Sequence, residues 1–100
     1  MPMCVVVTRD VPMRFRGFLA SVMLEVAPGV YTQPEMTVAV RRRVWKVLDE
    51  WWSFYEQGSI VMTWAAPGSV ERQGVLTLGD PPKELTLYDG LFLVRANPDP

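Results

Sequence analysis

Met3-Cys4-Val5-Val6-Val7-Thr8-Arg9-Asp10-Val11-Pro12-Met13-Arg14-Phe15-Arg16-Gly17 opens the chain as an almost wholly apolar run that ends in an acid, a proline and two arginines. Side chains alternate faces along a strand, so Cys4 and Val6 fall on one side of residues 3–8 and Val5 and Val7 on the other. Both faces are apolar and both need cover. The charged residues that follow stand where a strand gives way to a helix, with Pro12 suited to a first helical turn.

The 100 residues make one domain, 1–100, and a fold of that size leaves a large share of its surface uncovered when alone. Hydrophobic residues make up 49% of the chain, with four Trp and six Met, more than so small a core uses, so some of that surface is expected to face a partner. The net charge of −1 hides an uneven distribution. Residues 9–46 hold seven bases against three acids, whereas residues 47–100 hold three bases against eight acids. That split is compatible with one nucleic-acid face and one protein-docking face.

Cys4 is the single cysteine, which excludes an intrachain disulfide and fits a small buried hydrophobe in a reducing compartment. No apolar run approaches the ~18 residues of a membrane span and no leader pattern opens the chain, so a soluble cytoplasmic protein with no membrane partner is expected. Histidine is absent. That removes the usual general base, the Ser-His and Cys-His nucleophile pairs and imidazole metal ligands, leaving carboxylates and a metal ion as the means for any chemistry.

Working outward from residues 3–8, a first helix is expected from residue 12, with Phe15, Leu19, Val22, Met23 and Val26 on one face. Pro28-Gly29 reads as a turn and Val30-Tyr31 as a short strand. Thr32-Gln33-Pro34-Glu35 has the capping-box pattern, which predicts a second helix with Thr32 as N-cap, ending near Gln57 at a C-cap on Gly58. Its core stripe is Met36, Val40, Val44, Val47, Trp51 and Phe54, with Trp45, Leu48 and Trp52 as a second apolar edge. Residues 59–66 are again apolar on both faces. After a turn at Pro67-Gly68-Ser69, a strand is expected over 71–78. A loop at 79–82 then leads to a hairpin over 85–94 about Asp89-Gly90. Strand, helix, strand, helix, strand, strand fits an α+β sandwich of the ferredoxin-like type, both helices on one face of an antiparallel sheet. The other sheet face would be covered by a second subunit as a homodimer.

Arg14 and Arg16 stand in the first turn of helix one, where unpaired backbone amides favour an anion and guanidinium adds donors matched to phosphate. Arg41-Arg42-Arg43 and Lys46 form a charge run on helix two. Arg42, Lys46 and Glu50 at spacings of four read as a solvated face. Arg41 and Arg43 lie on opposite sides of the core stripe and are candidate nucleic-acid contacts. Asp10 is the one acid placed for a Mg²⁺ site, shared across a dimer two-fold, and it is also placed to cap helix one. Trp64 and Tyr31 read either as base-stacking platforms or as core.

The blocks Val5-Val6-Val7-Thr8, Val11-Pro12, Arg14-x-Arg16-Gly17, Leu24-Glu25-Val26-x-x-Gly29-Val30-Tyr31, Val61-Met62-x-Trp64-Ala65 and Asp89-Gly90-Leu91 run through nearly the whole chain. In order and spacing they resemble the CRISPR-associated Cas-two proteins of the type I-E subgroup. The resemblance implies a ferredoxin-like homodimer with 80–100 as a C-terminal extension that docks the Cas-one integrase. It implies a non-catalytic subunit that needs no cofactor, holds duplex protospacer DNA through its phosphates and bridges two Cas-one dimers during spacer integration. Arg14 and Arg16 would hold DNA, as would Lys83, in a loop where relatives carry two adjacent arginines. The alternative is a Mg²⁺-dependent endonuclease with Asp10 as its catalytic and metal-binding carboxylate, although relatives carry that acid one position earlier, at the place of Arg9. A third reading, a dimer binding a small regulatory ligand, would require a polar pocket.

Overall fold

The computed structural model describes residues 2–79 in full, together with the backbone of Glu84–Tyr88 and Leu91–Arg95. Its elements run β1 (Cys4–Arg9), α1 (Met13–Val22), β2 (Leu24–Ala27), β3 (Val30–Gln33), α2 (Val38–Tyr55), β4 (Ser59–Ala65), β5 (Gln73–Leu78), β6 (Glu84–Tyr88) and β7 (Leu91–Arg95). A five-stranded sheet has the order β2-β3-β1-β4-β5, every neighbouring pair antiparallel. This α+β arrangement is compatible with the ferredoxin-like sandwich expected from the sequence. β6 and β7 pair antiparallel as a separate two-stranded sheet, and the Asp89-Gly90 turn expected between them lies outside the described residues.

β1 is the centre of the sheet because both of its edges are taken: Val6 stands opposite Tyr31 of β3 and Met62 of β4. That register puts Cys4, Val6, Tyr31, Ile60 and Met62 on one face, where all five are buried with Phe15 and Leu19 of α1 and Val44 and Leu48 of α2. Both helices therefore cover the same face. The opposite face carries Val5, Val7, Val30, Thr32, Val61 and Thr63, with Val7 still 42% exposed. The expectation of a strand apolar on both sides is met, at β1 and again at β4.

Three expectations along the helices are corrected. α1 stops at Val22, its C-cap Met23 extended, and 24–27 form β2 rather than a last helical turn. Val22 and Val26 share a helical period, but Val26 and Leu24 are exposed, and pairing 24–27 with β3 satisfies backbone groups on the edge of β3 that a longer helix would have left to water. Thr32 is not a helix cap. It pairs with Val5 and Leu24 inside the sheet, and α2 is capped instead by Thr37, whose Oγ1 accepts from Val40 N at 3.2 Å. At the other end the left-handed C-cap is Glu56, not Gly58.

The core line of α2 also runs between the two stripes read from its sequence. Val44 and Leu48 are buried and Trp45, Trp51 and Trp52 partly so, whereas Phe54 is 88% exposed. Trp51 meets Phe15 and Phe18 edge-on at ring-centroid distances of 5.6 Å and 5.4 Å, which locks α2 to α1.

Two glycines are fixed by close approach. Gly58, with φ of +80°, lies against the carbonyls of Arg9 and Asp10, where a Cβ would collide with backbone. Gly74 of β5 faces Trp64 of β4, whose indole fills the space a Cβ would need. Gly74→Ala is expected to displace that ring and destabilise the fold by about 1–3 kcal/mol. Gly68→Ala, in open space, should stay within about 0.5 kcal/mol. Thermal or urea unfolding of the two variants checks the contrast.

Candidate nucleic-acid interface

Arg14 and Arg16 stand two residues apart on a helix, so they point to opposite flanks of α1. Arg14 turns toward α2, its guanidinium carbon 4.1 Å from the centre of the Trp51 ring. Arg16 turns the other way and donates from Nη2 to Glu25 Oε2 of β2 at 3.2 Å. The same Glu25 oxygen accepts the Gly29 N–H at 3.0 Å. That backbone donor, with Arg16 after it, holds the Glu25 carboxyl below the usual carboxylate range. The wholly buried Tyr31 hydroxyl lies beside this pair without a partner in hydrogen-bonding geometry, and burial pushes its phenol up. The arginine pair is thus two separate devices, one stacked and one salt-bridged.

Asp10 is not the cap of α1. The N-cap is Pro12, which has no side-chain acceptor, and its carbonyl takes the Phe15 N–H at 3.0 Å. Asp10 instead turns the end of β1 with φ of +56°, a left-handed conformation that Asp tolerates. Its carbonyl accepts from Gln57 Nε2 at 3.0 Å, tying the end of β1 to the segment after α2. Its carboxylate is exposed and lines a polar cavity of about 340 Å³ with Thr8, Arg16 and Gly29.

Mg²⁺ is the metal implied by the endonuclease alternative, and the donor set of one chain does not fit it. Asp10 is the one carboxylate lining this cavity, and a cation there would face the Arg16 guanidinium. Among the described residues no three acids or cysteines cluster as metal ligands.

On α2, Arg41 lies over the Trp64 ring at 4.0 Å from its centroid, and its charge partly offsets the burial that pushes the Cys4 thiol up. Arg43 is exposed on the other flank, so the two do not meet. Arg42 and Lys46 are exposed with Glu50, as the solvated-face reading has it, and they also border a groove of about 440 Å³ with Arg41, over Trp45, Trp64 and Leu76. Sequence spacing along α2 does not reveal that grouping, because it does not say where β4 and β5 run beneath the helix. Tyr31 is core, in line with one of its two readings, whereas Trp64 is partly buried against the core, between Gly74 and Arg41. Lys83 lies outside the described residues.

Arg16–Glu25 is the one ion pair among the described residues. The guanidiniums of Arg14 and Arg41 donate no hydrogen bond there and rest on indole rings, which leaves planar donor edges for an anion. Among the described residues no helix is long and apolar enough to cross a membrane.

Residues 3–93 match the family of CRISPR-associated proteins described as Cas_Cas2CT1978, and the chain belongs to that family. The match takes in every strand of the five-stranded sheet and all of the basic residues just placed.

The Glu25 contact carries a pH signature. A carboxyl held low in the folded state contributes stability that is present above its unfolded value, about 4.3, and is lost as pH falls through the lower folded value. Glu25→Gln is expected to melt below the wild type at pH 7, with the gap closing toward pH 3 in a series of thermal melts. A constant gap across that range would show that the charge of Glu25 contributes nothing.

Proposed function

We propose that this chain is a non-catalytic, DNA-holding subunit of the CRISPR adaptation machinery, of the type I-E kind. It holds duplex protospacer DNA by its phosphates and bridges two Cas-one integrase dimers for spacer integration. The observation that carries this reading is the state of the cations. Arg14 and Arg41 sit stacked on Trp51 and Trp64 with no carboxylate within ion-pair distance among the described residues. Such groups suit a sequence-tolerant grip on phosphodiesters. Arg16, held at the polar cavity by Glu25, and Arg43 and Lys83 complete the contact set. Family membership supports the setting.

The subunit works as a homodimer joined through the open sheet face. Support comes from the aliphatic surface of Val5, Val7, Val30 and Val61, which the helices leave uncovered. Cas-one docks on residues 80–100, where β6 and β7 supply strand edges for augmentation.

Two measurements test this. Replacing Arg14 and Arg16 by Ala is expected to weaken binding of all duplex sequences about equally, and to flatten log K against log salt by ~0.9 for each phosphate no longer neutralised. An unchanged slope would move the DNA face elsewhere. Sedimentation at micromolar concentration is expected to give a dimer for the wild type and a folded monomer for Val7→Asp, because Val7 faces outward while Val6 is buried. A monomeric wild type would end the bridging scheme.

A further inference from the structure

Gly74, Trp64 and Arg41 stand in three layers at one edge of the sheet. Trp64 of β4 is paired in register with Gly74 of β5, and the missing Cβ leaves room for the indole against the sheet backbone. From the helix side the Arg41 guanidinium covers the same ring. Arg41 is half-buried, yet its guanidinium donates to no protein acceptor among the described residues, and no carboxylate there lies within ion-pair distance. It opens onto the groove between α2 and β5, joined there by Arg42 and Lys46, with Asp49 the one acid lining it.

Three cations crowded over an apolar floor repel one another in a chain whose net charge is −1. An anion entering the groove relieves that repulsion and meets donors already oriented. Stacking fixes the plane of a guanidinium before the ligand arrives, so less side-chain entropy is given up when its edge binds a phosphate. An ammonium at the same place would gain neither the planar stack nor the paired donors.

We propose that Trp64 is a positioning residue: seated on Gly74, it presents Arg41 as a preset phosphodiester contact, and with Arg42 and Lys46 this groove forms a second DNA-gripping site apart from α1. The inference rests on the DNA-holding reading above and adds to it how one contact is built and which neighbours share it.

The test uses the full chain and a mixed-sequence DNA duplex, with binding followed by fluorescence anisotropy from low to moderate salt. Arg41→Ala is expected to lower affinity and reduce the salt slope by about 0.9 for each phosphate no longer neutralised. Arg41→Lys and Trp64→Leu keep the charge, so both should retain the wild-type slope while binding several-fold more weakly. Trp64→Phe restores a stacking ring and should recover most of that affinity. Melting curves show whether Trp64→Leu stays folded, and Arg41→Lys asks the same question without touching the core.

Wild-type affinity and slope in Arg41→Ala, or wild-type affinity in Arg41→Lys, would overturn this inference while leaving the DNA-holding reading intact. A wild type that ignores duplex DNA would overturn both. Binding of a poly-glutamate peptide that Arg41→Ala abolishes, with duplex binding untouched, would assign the groove to an acidic protein segment and reject the phosphate contact.

Discussion

β1 has neither a free edge nor a polar face, and the fold follows from that constraint. Backbone pairing on both sides, to β3 and β4, satisfies its N–H and C=O groups while Cys4 and Val6 are wholly buried. Cys4 and Val6 then require a helix layer above, which Phe15, Leu19, Val44 and Leu48 supply. The turn at its end is equally constrained. Asp10 takes a left-handed conformation, Gly58 packs on the carbonyls of Arg9 and Asp10, and Gly29 O accepts both the N–H and the hydroxyl of Thr8 at 2.7 Å and 3.1 Å. This end of the sheet is knit by backbone contacts, and it carries the cavity bordered by Asp10 and Arg16.

The same constraint sorts the charges. α1 lies between β2 and α2, so its two arginines are dealt to different neighbours: Arg16 to the carboxylate of β2, Arg14 to the indole of α2. Salt-bridged and stacked arginines differ in what they can offer a ligand. Glu25 occupies part of the Arg16 donor set and neutralises its charge locally, whereas an aromatic face leaves the whole donor edge of Arg14 outward. Equal weight for the two, natural from sequence, does not survive their surroundings.

The strands are largely legible in the sequence because their signal is local. Residues 3–8 and 59–66 announce themselves by apolar alternation, and the structure places β1 and β4 within a residue of those bounds. What is not legible depends on competition between local and distant partners. Thr32-Gln33-Pro34-Glu35 matches a helix start, yet pairing Thr32 with both Val5 and Leu24 satisfies more backbone than one capping bond does. Val26 fits the period of α1, but Leu24-Glu25-Val26 gains a strand partner only by leaving the helix. The candidate basic residues can be named from the sequence. Their sorting into stacked, paired and exposed groups cannot, because it depends on Trp51, Trp64 and Glu25 arriving from other elements.

The register of α2 shows how a small rotation decides where its cations lie. Had Val47 and Phe54 lain on the core line, as the stripe read from the sequence required, Arg41 would have turned away from β4 and Trp64 would be without its upper cover. The buried line through Val44 and Leu48 turns Arg41 and Trp45 toward the edge of the sheet. It leaves Phe54 in solvent. Burying Leu48 while leaving Phe54 exposed gives up more apolar area than it gains on α2 alone, so the rotation must be set by its neighbours: Trp51 against Phe15 and Phe18 on one side, and Trp52, whose Nε1 donates to Gly58 O at 3.2 Å, on the other. The aromatic clamp that locks α2 in place is thereby also what aims its cations, and the basic groove is a consequence of core packing.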